Sequence, residues 1–235
     1  MKKYINNTKE TWSYFSKKKD IFPQETVLIM DTTYFWRKYG IMVFRSYELK
    51  KNILRKEVKW ETIQDYKDGI ETLQSQWRTI KAIVCDGKRW LLWWLNIPVQ
   101  MCIFHQKQIM RRYITKTPKL EANKELQDIS WFIWDLKKST IQDRLDDRHS
   151  RYKNFLLEKN NSGNYVHIRT RKAYRSLKNN LQYLYTFDDY KWIIDIPKTT
   201  NSIESVFSHM KQKVWLHRWL KKHRKLRLID EFLGK

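Results

Sequence analysis

Apolar residues follow one another along this chain in two rhythms, and the change of rhythm divides it. Between residues 25 and 60 the segments "ETVLIMDTTYFW", "YGIMVFRSYELK" and "NILRKEVKW" are β-branched and aromatic runs broken by polar turns. They predict three successive strands in an antiparallel meander. "ETIQDYKDGIETLQSQW" then places Ile63, Tyr66, Ile70 and Leu73 at spacings of three and four, a helix with one buried face. "IKAIVCDGK" is a short continuous apolar run, which predicts a strand buried on both sides and ending at Asp86-Gly87. After a short helix, "IPVQMCIFH" predicts one more strand. This order of elements makes a mixed α/β sheet.

From about residue 106 to 195 the strand rhythm vanishes. "LEANKELQDISWFIWDLKKSTIQDRL" and "TRKAYRSLKNNLQYLYTF" read as helices around the turn-rich "EKNNSGN". The expectation is one sheet-based domain over residues 21–235, carrying a helical insertion at about 106–195. Residues 1–20, polar and ending in "SKKKD", read as a basic linker or the remnant of a preceding module.

Charge narrows the partners. The 235 residues hold 48 Lys and Arg against 25 Asp and Glu, a formal net charge of +23. Such an excess calls for a polyanion, and nucleic acid is the first expectation. An anionic membrane would require an apolar span or anchor, and the greasiest run, "WLLWWLNIPVQMCIF", is broken by Asn96, Pro98 and Gln100. A cytoplasmic, nucleoid-associated protein without a membrane partner is expected. Cys85 and Cys102, the only cysteines, sit in apolar runs and read as reduced thiols.

Three carboxylates carry the candidate chemistry. Asp31 and Asp86 each follow four apolar residues, where an ionised side chain is costly unless it is paired or holds a metal. Ligands gather at such strand ends in open α/β sheets, although aspartate also forms ordinary turns there. Glu204 stands three residues after Asn201 at the start of a helix, a near match to a capping box. That helix should bury Ile203, Phe207, Met210 and Val214, with Ser208 and Lys211 on the flank of Glu204. Together the three carboxylates supply the hard oxygen ligands that one or two Mg²⁺ ions need beside a phosphodiester.

"MDTTYFW", "VCDGKRWLL", "IPVQMCIFHQKQ" and "IPKTTNSIESVFSHMKQKVWLHRWLKKHRKLRLIDEFL" resemble the catalytic domain of bacterial insertion-sequence DDE transposases related to Mutator-like elements. The likeness runs from about residue 25 to the C-terminus, with the three carboxylate motifs in order and a Cys-x-x-His between the second and third. It implies an RNase H-like fold with an α-helical insertion before the glutamate. It implies, too, that Asp31, Asp86 and Glu204 hold two Mg²⁺ or Mn²⁺ ions for DNA strand cleavage and strand transfer, by a homo-oligomer on DNA. Cys102 and His105 match the family's Cys-x-x-His, which is half of a zinc site and reads more simply as a packed cysteine and a histidine near the DNA or the active site.

Arg171, Arg175 and Lys178 share a helical face, and Lys211, His217, Arg218, Lys221 and Lys222 form a second basic group. Both groups are candidate phosphate contacts, the bland alternative being a solvated face. The family usually carries an N-terminal DNA-binding module. No Cys-x-x-Cys pair or clear helix-turn-helix precedes Asp31, so the frame reads as a truncated one, while the DNA partners that the resemblance implies are the transposon ends and the target. Two alternatives stay open: a truncated, non-enzymatic DNA-binding derivative of a transposase, and an RNase H-like nuclease.

One compositional oddity yields a prediction. There are 12 Trp and only 5 Gly, where an ordinary chain of this length has roughly 16 glycines at about 7%. Counting the tryptophans as glycines restores the ordinary figure. Trp36, Trp77, Trp90 and Trp219 stand where the resembling sequences usually have Gly, which suggests UGA codons that the organism reads as glycine. The alternative is an aromatic-rich lineage whose indoles stack on bases or fill the core. The expected outcome is UGA at all four positions, with glycine in the peptide masses; UGG at those positions ends the idea.

Overall fold

The structure, a computed structural model, describes residues 12–14, 25–36, 39–76, 79–87 and 96–234. The chain divides into two compact units, residues 1–83 with 200–235, and residues 84–199. It is an α/β protein with a mixed sheet flanked by helices.

The first unit is built on β1 (Trp12–Tyr14), β2 (Glu25–Trp36), β3 (Tyr39–Ser46), β4 (Lys51–Val58) and β5 (Thr79–Cys85), in the order β1-β4-β3-β2-β5. β5 runs on into the second unit. β2, β3 and β4 pair antiparallel, as the meander pattern requires. β1 arises from the stretch read as a linker and pairs antiparallel with β4, Trp12 opposite Lys56; the rest of residues 1–20 lies outside the described residues. At the β2–β3 turn Tyr34 pairs with Gly40, and a Cβ on Gly40 would fall 2.7 Å from the Tyr34 ring.

Helices cover both faces of this sheet. α1 (Ile63–Gln74) lays Tyr66, Ile70 and Leu73 on one face, whereas Ile63, expected on the same stripe, is exposed. The Tyr66 hydroxyl lies 3.1 Å from the Thr32 hydroxyl, and its ring meets Phe44 edge-on. α8 (Asn201–Leu216) packs on β2 through Ile203, Phe207, Met210 and Val214, as its spacing predicts. α9 (Lys222–Leu233) is tied to β4 by Arg55 to Asp230, 2.5 Å, and by Asn52 Nδ2 donating to the Leu233 carbonyl, 2.8 Å.

The second unit is helical apart from the end of β5 and β6 (Val99–Met101). Its helices are α2 (Ile103–Ile114), α3 (Glu121–Trp131), α4 (Lys138–Arg151), α5 (Lys153–Leu157), α6 (Ile168–Leu184) and α7 (Thr186–Asp189). The strand expected over "IPVQMCIFH" is short. Cys102 N–H bonds the Cys85 carbonyl at 2.8 Å and Ile103 N–H bonds Lys198, after which the apolar run turns helical. A core of Leu126, Ile141, Leu145, Leu177, Leu181 and their neighbours holds the helices together. Arg148 is wholly buried within the unit, where Nε and Nη2 donate to the Ala122 carbonyl at 3.1 and 2.7 Å. Burial pushes its pKa down.

Among the described residues no helix is long and apolar enough to cross a membrane. Of the four tryptophans expected to be glycine, Trp219 lies in the turn after α8 and is 72% exposed. The side chains of Trp36, Trp77 and Trp90 lie outside the described residues.

Asp65 links a helix start to the sheet. It completes a capping box with Thr62 and pairs with the buried Lys56 at 2.9 Å. Burial alone would push its carboxyl up, but hydrogen bonds from Thr62 and Lys56 outweigh that and hold it below the usual carboxylate range. Asp65→Ala loses the box, worth ~1 kcal/mol, and one carboxylate of a buried cation, for a total of roughly 2–4 kcal/mol. A depressed carboxyl pKa stabilises above the unfolded value near 4 and stops doing so as pH falls through the folded value. Urea titrations should therefore show the deficit of Asp65→Ala at pH 7 and its narrowing towards pH 3.

Candidate active site

In the first unit Asp31 occupies the middle of the 12-residue β2, not its end. β2 lies between β3 and β5, and Val27 to Met30 before Asp31 are each at most 1% exposed. Asp31 itself is half-buried. Thr32 N–H donates to Asp31 Oδ1 at 2.8 Å, which restricts the carboxylate's rotamer. Pairing aligns Asp31 with Val43 on β3, and Val43 with Arg55 on β4. Paired residues share a face, so Asp31 points to the side on which Arg55 meets α9 and α8 packs on β2.

Glu204 lies in the first turn of α8 and is half-buried. The capping box expected from Asn201 does not form. Thr200 is the cap residue, without a side-chain cap bond, and Asn201 is the first helical residue. Thr200 is wholly buried, its carbonyl accepts from Ile203 and Glu204 N–H at 2.9 and 3.1 Å, and its hydroxyl donates to Glu204 Oε1 at 2.9 Å. Glu204 is thus held as an acceptor from a buried hydroxyl, and a carboxylate at a helix start is favoured by the helix dipole. Ser208 and Lys211 are exposed on the same helix.

In the second unit Asp86 directly follows β5 and is half-buried. Its neighbour Gly87 has no room for a side chain, because a Cβ there would fall 2.0 Å from Met101 Cε. Cys85 and Cys102 are buried free thiols. Cys102 precedes α2, and His105, half-buried in its first turn, brings a ring nitrogen within 4.8 Å of Cys102 Sγ.

The basic residues singled out by spacing have different fates. Arg171 donates to the Leu156 carbonyl and stacks on the Tyr165 ring, 3.7 Å from the ring centre. Lys178 binds Asp146 at 3.1 Å and the Tyr174 hydroxyl at 3.3 Å, and the bond to Asp146 raises its pKa. Arg175 alone of the three opens on a cleft, which it shares with Lys172 and with Arg112 of α2.

In the first unit Lys211, Arg218 and Lys221 are exposed. His217 meets Trp219 edge-on and Arg218 lies over Trp215; the Lys222 side chain lies outside the described residues. Lys172 and Arg112 were missed because each was read within its own helix. The signal available was the three-residue step from Lys172 to Arg175, which puts both on one side of α6.

No protein-family description, no curated protein and no solved structure matches this chain.

Proposed function

We propose that the chain is the catalytic core of a DDE transposase, acting as a homo-oligomer on DNA, with Asp31, Asp86 and Glu204 as its metal-binding carboxylates. The observation that carries this is Asp31 within a strand buried on both sides, facing the helix that presents Glu204. The antiparallel β2–β3–β4 meander and a mixed sheet with helices on both faces support an RNase H-like fold. The helical stretch between Asp86 and Glu204 supports the insertion that the resemblance implies.

The donor set fits Mg²⁺ or Mn²⁺: three carboxylates supply hard oxygens, and each is half-buried beside an apolar core. Bound divalent cations would supply Lewis-acid polarisation of the phosphodiester and a water acidic enough to attack at neutral pH. The protein's own share is positioning. Thr32 N–H orients Asp31, and the Thr200 hydroxyl orients Glu204. Lys211 on the flank of α8 and the exposed cations beyond it hold phosphates and offset charge on the crowded phosphorane. Water attacks phosphorus and the strand breaks to leave a 3′-OH and a 5′-phosphate. The freed 3′-OH then attacks a phosphodiester of target DNA, displacing a new 3′-oxygen.

Glu204→Gln keeps an oxygen for the Thr200 hydroxyl, so its thermal midpoint should stay near that of the parent chain while Mg²⁺-dependent strand cleavage disappears. Cleavage at the parent rate would remove Glu204 from the site. Binding should be dominated by phosphate contacts. If about six to ten phosphates are engaged, affinity falls by roughly 10³ to 10⁵ between about 50 and 200 mM salt. A flat salt dependence points to a protein partner, and steep binding by a chain that never cuts DNA points to the non-enzymatic derivative.

A further inference from the structure

The helical unit contains a cleft of about 910 Å³ between α2 and α6. Arg112 and Tyr113 line it from α2, Lys172, Arg175 and Ser176 line it from α6, and Gly87 joins them from the segment after β5. Among the described residues no carboxylate lines it. Arg112, Lys172 and Arg175 are all exposed, and none is paired with a carboxylate among the described residues. On the same helix Arg169, Arg171 and Lys178 donate to the Arg112 carbonyl, the Leu156 carbonyl and Asp146, which leaves Lys172 and Arg175, on the cleft side, without such a partner among the described residues.

The floor is firm. Gln106, wholly buried, accepts from Asn180 Nδ2 at 2.9 Å and donates to Ser176 Oγ at 3.4 Å. This amide pair fixes α2 against α6 and sets the spacing between Arg112 and the α6 cations. A polar cleft of this size, within the range of small-ligand sites, has room for a short stretch of one strand. Three cations without carboxylate partners can meet backbone phosphates, and a half-buried tyrosine offers a face for a base. Gly87 adjoins Asp86, and with a Cβ excluded there the backbone itself forms that part of the wall.

We infer that this cleft holds the backbone of a single DNA strand leading to the phosphate cut at Asp86, with Arg112, Lys172 and Arg175 on its phosphates and Tyr113 against a base. The inference rests on the reading of the chain as a DNA strand-cutting enzyme, but it is tested by binding. The full chain, its triple variant Arg112→Gln/Lys172→Gln/Arg175→Gln and a charge-matched control, Lys116→Gln/Lys137→Gln/Lys153→Gln, are titrated against a labelled short oligothymidylate and a blunt duplex over a range of salt. All six positions are exposed and polar, so circular dichroism should show the same folded spectrum for each protein.

Three lost single-strand contacts at ~0.7 each should make the salt slope shallower by about 2, which is a loss of roughly a hundredfold at about 0.1 M salt. The control should move far less, and the duplex less than the single strand. A triple variant no weaker than the control overturns the inference, as does equal loss on duplex and single strand. Strand cleavage is scored separately. Binding through the cleft without cleavage keeps the cleft and removes the enzyme, whereas cleavage with an indifferent cleft does the reverse.

Discussion

A carboxylate in the middle of a strand that is buried on both sides is the constraint around which the first unit is arranged. Val27 to Met30 surrender almost all their surface, and the next residue along the same strand is Asp31. Moving an ionised carboxylate into such surroundings costs far more than burying a hydroxyl or an amide. A strand could avoid that cost by ending, and β2 does not end. It continues through Thr32 and Thr33 to Trp36, so Asp31 is held against β3 by a full ladder and cannot swing into solvent by fraying. Groups that tolerate such a cost in a native fold are usually paired, hydrogen-bonded or kept for chemistry.

Which face Asp31 takes is settled by its neighbours on β4. Arg55 and Lys56 are adjacent in sequence, both nearly buried, and point to opposite faces. Arg55 reaches Asp230 on α9, and Lys56 reaches Asp65 on α1. Each pair adds little net stability once desolvation is counted. What the two pairs do is assign helices to faces, because swapping α1 with α9 would leave two buried cations without their carboxylates. With the faces assigned, Asp31 lies on the side of α8 and Thr32 on the side of Tyr66.

Much of this was legible because the strong signals are periodic. The meander, the β5 run and the buried stripe of α8 all follow from spacing alone. Other features depend on partners distant in sequence. "MCIF" is apolar enough for either state, and bonds from Cys102 to Cys85 and from Ile103 to Lys198 decide where the strand stops. Asn201 to Glu204 fits a capping box, yet the wholly buried Thr200 takes the cap position and shifts the helix by one residue. A helical wheel groups Arg171 with Arg175 and Lys178, but it cannot know that Leu156 and Asp146 lie waiting for two of them. The edge strand β1 has only three residues, too few for alternation to register.

The same bookkeeping of partners turns a global charge into a local one. In the helical unit Glu125 is matched with Arg151, Asp146 with Lys178, Asp188 with Lys191 and Asp189 with Lys138. Each pair is a neutral patch that offers a polyanion little attraction. The excess of +23 therefore belongs to cations left out of such pairs. Cations like these are unevenly placed, since Arg112, Lys172 and Arg175 converge on one cleft that no acid lines among the described residues. Because surface ion pairs contribute little to stability, their larger effect here is subtractive: they remove competing positive sites and leave the positive field of the helical unit concentrated at the cleft.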